Sequence, residues 1–321
     1  SSPVIAADGD GFSVSFPGTE SQADYRIVVE EAILTPTISP RAPVDDLADT
    51  RADYVIISHP DFIDGLAPLV QAREAQGYTI RVVNVADIYT AYGHGIVDPA
   101  AIQAYAADAI ARMGTSYFLL VGGDSYDYLN YLDANSQSFI PSLYVQTHNL
   151  VRFSPADPLL TDIDADGVPD AAIGRFPVRN SEELASIIQK TLTYADKAYG
   201  ATGIFSADAE DERSYTAFSE ALIAQLPAEW QITRAYIDEM GVDAAKARLI
   251  ETINDGVALT TFFGHSGPTT WTFDNLFSAD DAAQLANPGK PTIVSQWGCW
   301  NTYYATPEYN TLGHKFLLSG D

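Results

Sequence analysis

From residue 54 onward the chain alternates short apolar runs, rich in Val, Ile, Leu and aromatic residues, with longer stretches of helical periodicity. That alternation is the signature of strand–helix–strand units on a parallel sheet. The runs at 54–58, 78–85, 117–122, 171–174, 203–207, 231–237, 257–264 and 292–298 are short and apolar, so each is expected to be a strand covered on both faces. The intervening helices are expected at 61–76, 99–113, 181–199, 213–226, 243–254 and 279–286, several opening on Asp, Ser or Pro. The fold class is therefore a layered α/β protein: a mostly parallel sheet with helices on both faces, in two subdomains divided near Pro177 to Ser181. Residues 1–50 differ, with β-like runs at 12–16 and 25–29 and a Pro-rich link at 35–43, and read as a small β-rich appendage.

The expected organisation is thus 1–50 appendage and linker, 51–177 N-terminal α/β subdomain and 178–321 catalytic α/β subdomain. The chain stops straight after an apolar helical pattern, so the last subdomain is expected to be truncated at its C-terminal end and the chain to be a processed or excised piece. With 17 Lys plus Arg against 43 Asp plus Glu the net charge is −26. Such a surface repels nucleic acid phosphate and anionic membrane, and no run approaches the roughly 18 apolar residues of a spanning helix. Nucleic acid partners and membrane insertion are both excluded at this stage, whereas calcium and basic peptides suit the field. The acidic surface also suits a secreted or cell-surface location.

The chemistry gathers at strand ends, where open parallel sheets place their functional groups. The run 257–263 leads into Gly264-His265-Ser266-Gly267, and the run 292–297 leads into Gly298-Cys299-Trp300-Asn301. Cys299 is the only cysteine, so it can act only as a single thiol. One crossover fits between the two runs, which makes them candidates for adjacent strands with a thiol and an imidazole leaving in the same direction. A core His and a core Cys that never meet is the plain alternative. His59, His94, His148 and His314 have no comparable setting.

Asp162, Asp164, Asp166, Gly167 and Asp170 space oxygen ligands two apart around a Gly turn, as calcium loops do, although position twelve is Ile173 where an EF-hand has Glu. A solvated acidic turn is the alternative. Trp271, shortly after His265, is either a lid over the site or a core residue.

Taken together, the stretch Leu120 to Asp127, the acidic stretch Asp162 to Asp170 running into Ile173 to Pro177, and the Gly264-His265 and Gly298-Cys299 strand ends resemble the catalytic domain of the gingipain family of cysteine peptidases. Their fold is related to caspases. The resemblance runs from about Tyr54 to the C-terminus. It implies a cysteine endopeptidase with a dyad of His265 and Cys299, acting on protein or peptide substrates through a thioester, with the main-chain N–H groups of Ser266 and Cys299 as oxyanion donors. Family members usually carry Gly directly after the His, so Ser266 is expected to narrow the approach. The resemblance also implies that Asp208, at a strand end, orients the imidazole, a helix-capping role being its alternative. Asp211 or Glu212 would read an Arg or Lys side chain, and Asp157 would join the structural Ca2+ site. Two further readings stand beside this one. One is a catalytically weak calcium-binding adhesion module of a larger surface protein; the other is a peptidase in a regulated, processed state that needs a C-terminal remainder of its own precursor.

Overall fold

The computed structural model describes residues 3–18, 26, 28, 30–33, 35, 40, 43–149, 151–197, 199–308 and 310–318. Two compact units separate at residue 42. The first contains an antiparallel hairpin of β1 (Val4–Asp8) and β2 (Gly11–Ser15), turned by Gly9 at φ +60°. Strand β2 covers most of the expected run at 12–16, whereas most of the run at 25–29 and most of the Pro-rich link lie outside the described residues.

The second unit holds two parallel four-stranded sheets. The first sheet is built from β3 (Tyr54–Ser58), β4 (Ile80–Asn84) and β5 (Tyr117–Val121), then, after a small hairpin of β6 (Tyr144–Val145) and β7 (Ser154–Pro155), from β8 (Ala172–Phe176). Its order is β4-β3-β5-β8. Successive side chains of a strand point to opposite faces, and the core divides accordingly. Val55, Ile57, Phe118 and Leu120 pack with α2 (Val85–Tyr92) and α3 (Pro99–Asp108). Ile56, Leu119 and Val121 pack with α1 (Ala67–Ala75) and α4 (Ser181–Asp196). Covering both faces is what makes the central strands β3 and β5 apolar along most of their length.

The second sheet uses β9 (Thr202–Ala207), β10 (Gln231–Tyr236) and β11 (Leu259–Phe263), followed by a short hairpin of β12 (Thr270–Trp271) and β13 (Phe277–Ser278), and then β14 (Ile293–Trp297). Its order is β10-β9-β11-β14. Helix α5 (Tyr215–Ile223) covers Phe205, Ala207 and Tyr236. After the short α6 (Ile237–Met240), helix α7 (Val242–Asp255) covers Ile204, Ala235 and Phe262. Helices α8 (Ala279–Ala283) and α9 (Leu312–Leu318) complete that side.

Local caps explain where the boundaries depart from the sequence pattern. Asn84 accepts from the Ala86 N–H at 2.9 Å and starts α2 inside the run expected to remain strand. Ser214 accepts from the Ala217 N–H, so the helix expected from 213 begins at Tyr215. Among the described residues no helix is long and apolar enough to cross a membrane.

Candidate active site

The C-terminal ends of β9, β11 and β14 lie side by side. Phe263 is in register with Ala207 on one side and with Trp297 on the other, and the ladder continues one step, with Asp208 N–H donating to Phe263 O at 2.9 Å and Gly264 N–H to Trp297 O at 3.3 Å. His265 and Cys299 are therefore the next residues out on adjacent strands, and Asp208 leaves the third. Two glycines make this crowding possible. A Cβ on Gly264 would lie 2.4 Å from the Asp208 Cβ, and a Cβ on Gly298 would lie 2.3 Å from the Ser266 Oγ, distances no side chain tolerates.

The imidazole of His265 is held by the loop that follows β9. Its Nε2 lies 2.7 Å from Asp211 Oδ2 and 3.0 Å from the Tyr215 hydroxyl; with a carboxylate there, Nε2 carries the proton. Asp211 is itself fixed by the Arg213 N–H at 2.8 Å, and the Tyr215 hydroxyl donates to it at 3.3 Å. The hydrogen bond from His265, followed by that from the Arg213 main chain, holds the Asp211 carboxyl below its usual range. Among the described residues His265 Nδ1 makes no hydrogen bond, which leaves its lone pair for a proton acceptor's work.

Asp208 takes a different place from the one expected. Its Oδ2 accepts the main-chain N–H of His265 at 3.0 Å and its Oδ1 that of Ala209 at 2.9 Å, so it anchors the His265 backbone and does not touch the ring. Burial raises its pKa above the ordinary value against the pull of those two N–H bonds. Trp271 is not a lid: it is 0% exposed, stacked on Phe262 at 4.5 Å and bonded through Nε1 to Gln296. Glu212 is exposed, and among the described residues its carboxylate has no partner.

Cys299 is exposed, and no hydrogen bond joins its thiol to His265 among the described residues. Neither the Ser266 N–H nor the Cys299 N–H has a partner there, so both donors are open. The Ser266 hydroxyl, expected to narrow the approach, instead turns in against Gly298 and is buried without a partner. Beyond Cys299 the chain is strapped to the first sheet. The Tyr304 hydroxyl donates to Asp157 Oδ2 at 2.9 Å and meets Ser142 Oγ at 2.8 Å. Arg175 of β8, its side chain 4% exposed, pairs with both Asp157 oxygens at 2.7 and 2.8 Å. Burial works to raise the Asp157 pKa, but Arg175 and Tyr304 outweigh it and leave the carboxyl below its usual range.

That ion pair removes Asp157 from the acidic loop. Asp162, Asp164 and Asp166 each offer an oxygen within 4.8 Å of the others. The loop is shaped by its own carboxylates: Asp162 accepts the N–H groups of Asp166 and Gly167, and Asp170 accepts that of Ile163 at 2.8 Å. Left-handed φ values of +60° at Ala165 and +89° at Gly167 close the turn. A groove of about 900 Å³ lies elsewhere, between α4 and the start of β14.

The sequence profile of peptidase family C25 matches residues 47–321. The chain belongs to that family. The Arg-specific cysteine proteinase gingipain R (RgpB), of Porphyromonas gingivalis, superposes with a TM-score of 0.67 at 20% identity, covering 88% of this chain and 61% of the other. A complex of the RgpB pro- and mature domains gives 0.67 at 18%, covering 84% and 60%. A structure described only as a protease gives 0.66 at 16%, covering 86% and 57%. The C25 chain therefore has the gingipain-like α/β fold and spans about three fifths of the length of these structures. Among curated proteins no sequence matches it.

The remaining histidines of the C25 chain have structural settings or none near the site. His59 accepts the Asp61 N–H, and His314, buried, meets Pro177 O at 2.9 Å. Tyr215 was not singled out in the sequence. The Ser214 cap makes it the first residue of α5.

Proposed function

We propose that the chain is a cysteine endopeptidase. The observation that carries this reading is that the only cysteine and His265 are adjacent strand-end residues on β14 and β11 in a member of family C25. His265, with Nε2–H turned to Asp211, uses Nδ1 to take the Cys299 proton. The thiolate attacks the peptide carbonyl carbon, forming a C–S bond, and the carbonyl oxygen takes the negative charge. The open N–H groups of Ser266 and Cys299 receive that oxygen. Collapse breaks the C–N bond as the imidazolium gives its proton to the leaving amine. Water then attacks the thioester, His265 accepts its proton, and the C–S bond breaks to regenerate the thiol.

Three finer readings belong to the same proposal. Glu212, exposed and without a partner among the described residues, reads an Arg or Lys side chain before the scissile bond, because Asp211 is committed to His265. Asp162, Asp164 and Asp166 hold Ca2+; their oxygens are mutually close enough for one cation. The domain works outside the cell or on its surface, where a net charge of −26 suits solubility.

Alkylation by iodoacetamide or a peptidyl chloromethyl ketone tests the dyad. Fast labelling of Cys299 that collapses in His265→Ala is expected, with loss of peptide cleavage in Cys299→Ala. Equal labelling with and without His265, or cleavage surviving in Cys299→Ala, overturns the reading.

A further inference from the structure

Between β12 and β13 the chain passes through Thr272, Phe273, Asp274 and Asn275. Thr272 and Asn275 have φ +62° and +59°, and for a β-branched residue such as Thr that conformation is strained. The strain is held from both sides. The Thr272 N–H donates to His265 O at 2.8 Å, the Leu276 N–H to Trp271 O at 3.0 Å, and the same N–H reaches Thr272 Oγ1 at 3.2 Å. Trp271, Thr272, Leu276 and Phe277 are all buried, yet Phe273 is 89% exposed, the most exposed large apolar side chain among the described residues. A rigid, buried frame thus keeps a phenyl ring in water, at a cost that core packing does not repay. The ring stands beside the imidazole, its centroid 5.0 Å from that of His265 and its plane inclined by 37°.

The chemistry says what passes this point. His265 must reach the nitrogen of the leaving amine, so the residue that follows the scissile bond runs beside the imidazole. Phe273 is the side chain it meets there. An aromatic or large apolar side chain would cover the phenyl ring and remove both surfaces from water. An acidic one would instead face Asp274 on the same tip and the carboxylates of Asp208 and Asp211 around His265.

Resting on the cysteine-peptidase reading above, we infer that Phe273 forms the subsite for the residue following the scissile bond, and that this subsite selects aromatic and large aliphatic side chains. Phe273 is thus the exposed aromatic contact that Trp271, locked in the core, does not supply.

The test is a set of peptides with Arg before the scissile bond and Phe, Leu, Ser or Asp after it. The parent should cleave the Phe and Leu peptides with kcat/KM about five- to tenfold above Ser, and Asp below Ser. Phe273→Ala should bring Phe, Leu and Ser to within about twofold of one another, and Phe273→Tyr should restore the gap. A gap that persists in Phe273→Ala overturns the inference. So does a parallel fall for every peptide with slower alkylation of Cys299, which would mean that Phe273 only steadies His265. Binding separates this inference from the reading beneath it. Fluorescence anisotropy with Cys299→Ala should show the Phe peptide bound more tightly than the Ser peptide, a difference lost on adding Phe273→Ala. If the parent cleaves nothing, the peptidase reading has failed and the subsite falls with it; a parent that cleaves but binds the Phe and Ser peptides equally rejects the subsite alone.

Discussion

His265 Nε2 and Asp211 Oδ2 are 2.7 Å apart, while the acid at the adjacent strand end, Asp208, is spent on the His265 main chain. The register explains the division. Asp208 sits level with Gly264, so its carboxylate meets the next N–H along β11 before any ring atom. The imidazole extends past it to the loop at 208–214, which Asp211 folds back by bonding the Arg213 N–H. One acid fixes the backbone of the histidine and another fixes its tautomer.

Asp211→Asn should therefore lower kcat and leave KM nearly unchanged. The Asp211 carboxylate is 42% exposed as a side chain, so a loss of about tenfold is expected, well short of what a buried orienting acid would give. The pH dependence follows from the lowered pKa. A depressed carboxyl contributes above its unfolded pKa, about pH 4, and the contribution fades as pH falls through the folded value. The parent-to-variant ratio of kcat should be constant from pH 6 to 8 (about the neutral range) and shrink only below about pH 4, as the lowered carboxyl protonates. Asp208→Asn should show the opposite emphasis, lowering the melting temperature because weakening its two main-chain bonds costs about 1–2 kcal/mol of stability. A kcat loss in Asp208→Asn larger than in Asp211→Asn would reverse these assignments.

The parallel strands, the burial of the central ones and the strand-end placement of His265 and Cys299 were legible because each depends on local pattern: apolar runs, the glycines that follow the runs ending at Phe263 and Trp297, and a crossover of ordinary length; the outer strands β8 and β14, expected to be covered on both faces, hold no buried residue. The roles of Asp208, Asp211 and Trp271 were not, since they turn on where side chains go beyond the strand end. Spacing brings Asp208 and His265 to neighbouring strands but does not say whether the carboxylate finds an N–H or a ring nitrogen. Trp271 is two residues from the exposed Phe273, and only the hairpin β12–β13 decides which of them faces the core. Asp157 was drawn to the acidic loop by sequence proximity, whereas its partner Arg175 comes from β8 beyond that loop.

Asp157→Asn should destabilise the second unit by about 3–5 kcal/mol, because Arg175 would remain buried without its counter-charge. The Asp157 carboxyl is held below its usual range, so this stability is present above about pH 4 and is lost as pH falls through the folded pKa. Thermal melts at neutral pH should separate parent and variant widely, and the separation should narrow progressively as pH falls below about 4. A variant that melts with the parent at neutral pH would mean that the Arg175–Asp157–Tyr304 bridge carries no net stability.

Calcium should raise the melting temperature of the parent, through a stabilisation of about 2.7 kcal/mol at a hundredfold excess over Kd. The Asp164→Asn, Asp166→Asn double variant should lose that response, since two of the three clustered oxygens are gone. Asp157→Asn should keep it despite its lower starting stability, because Asp157 faces Arg175. Calcium titrations followed by differential scanning fluorimetry check all three. No response in metal-stripped parent protein would reduce the loop to a solvated turn.

Glu212 and Asp211 are neighbours in sequence but should fail differently on a panel of peptides that vary only the residue before the scissile bond. Asp211 bonds His265, so its removal slows every substrate by the same factor. Glu212 is exposed without a partner among the described residues, and its carboxylate gains a counter-charge only when Arg or Lys arrives. An exposed pair of this kind is worth at most about 1 kcal/mol, rising when substrate covers it and when Arg engages both oxygens. Glu212→Gln should therefore lower kcat/KM for Arg and Lys peptides about tenfold and leave Leu peptides within about twofold of the parent. The loss should shrink as salt rises, because the pair begins solvent-exposed. Equal turnover of Arg, Leu and Asp peptides by the parent would show that no carboxylate reads this position. A uniform fall in Glu212→Gln would instead put Glu212 with Asp211, among the groups that serve His265.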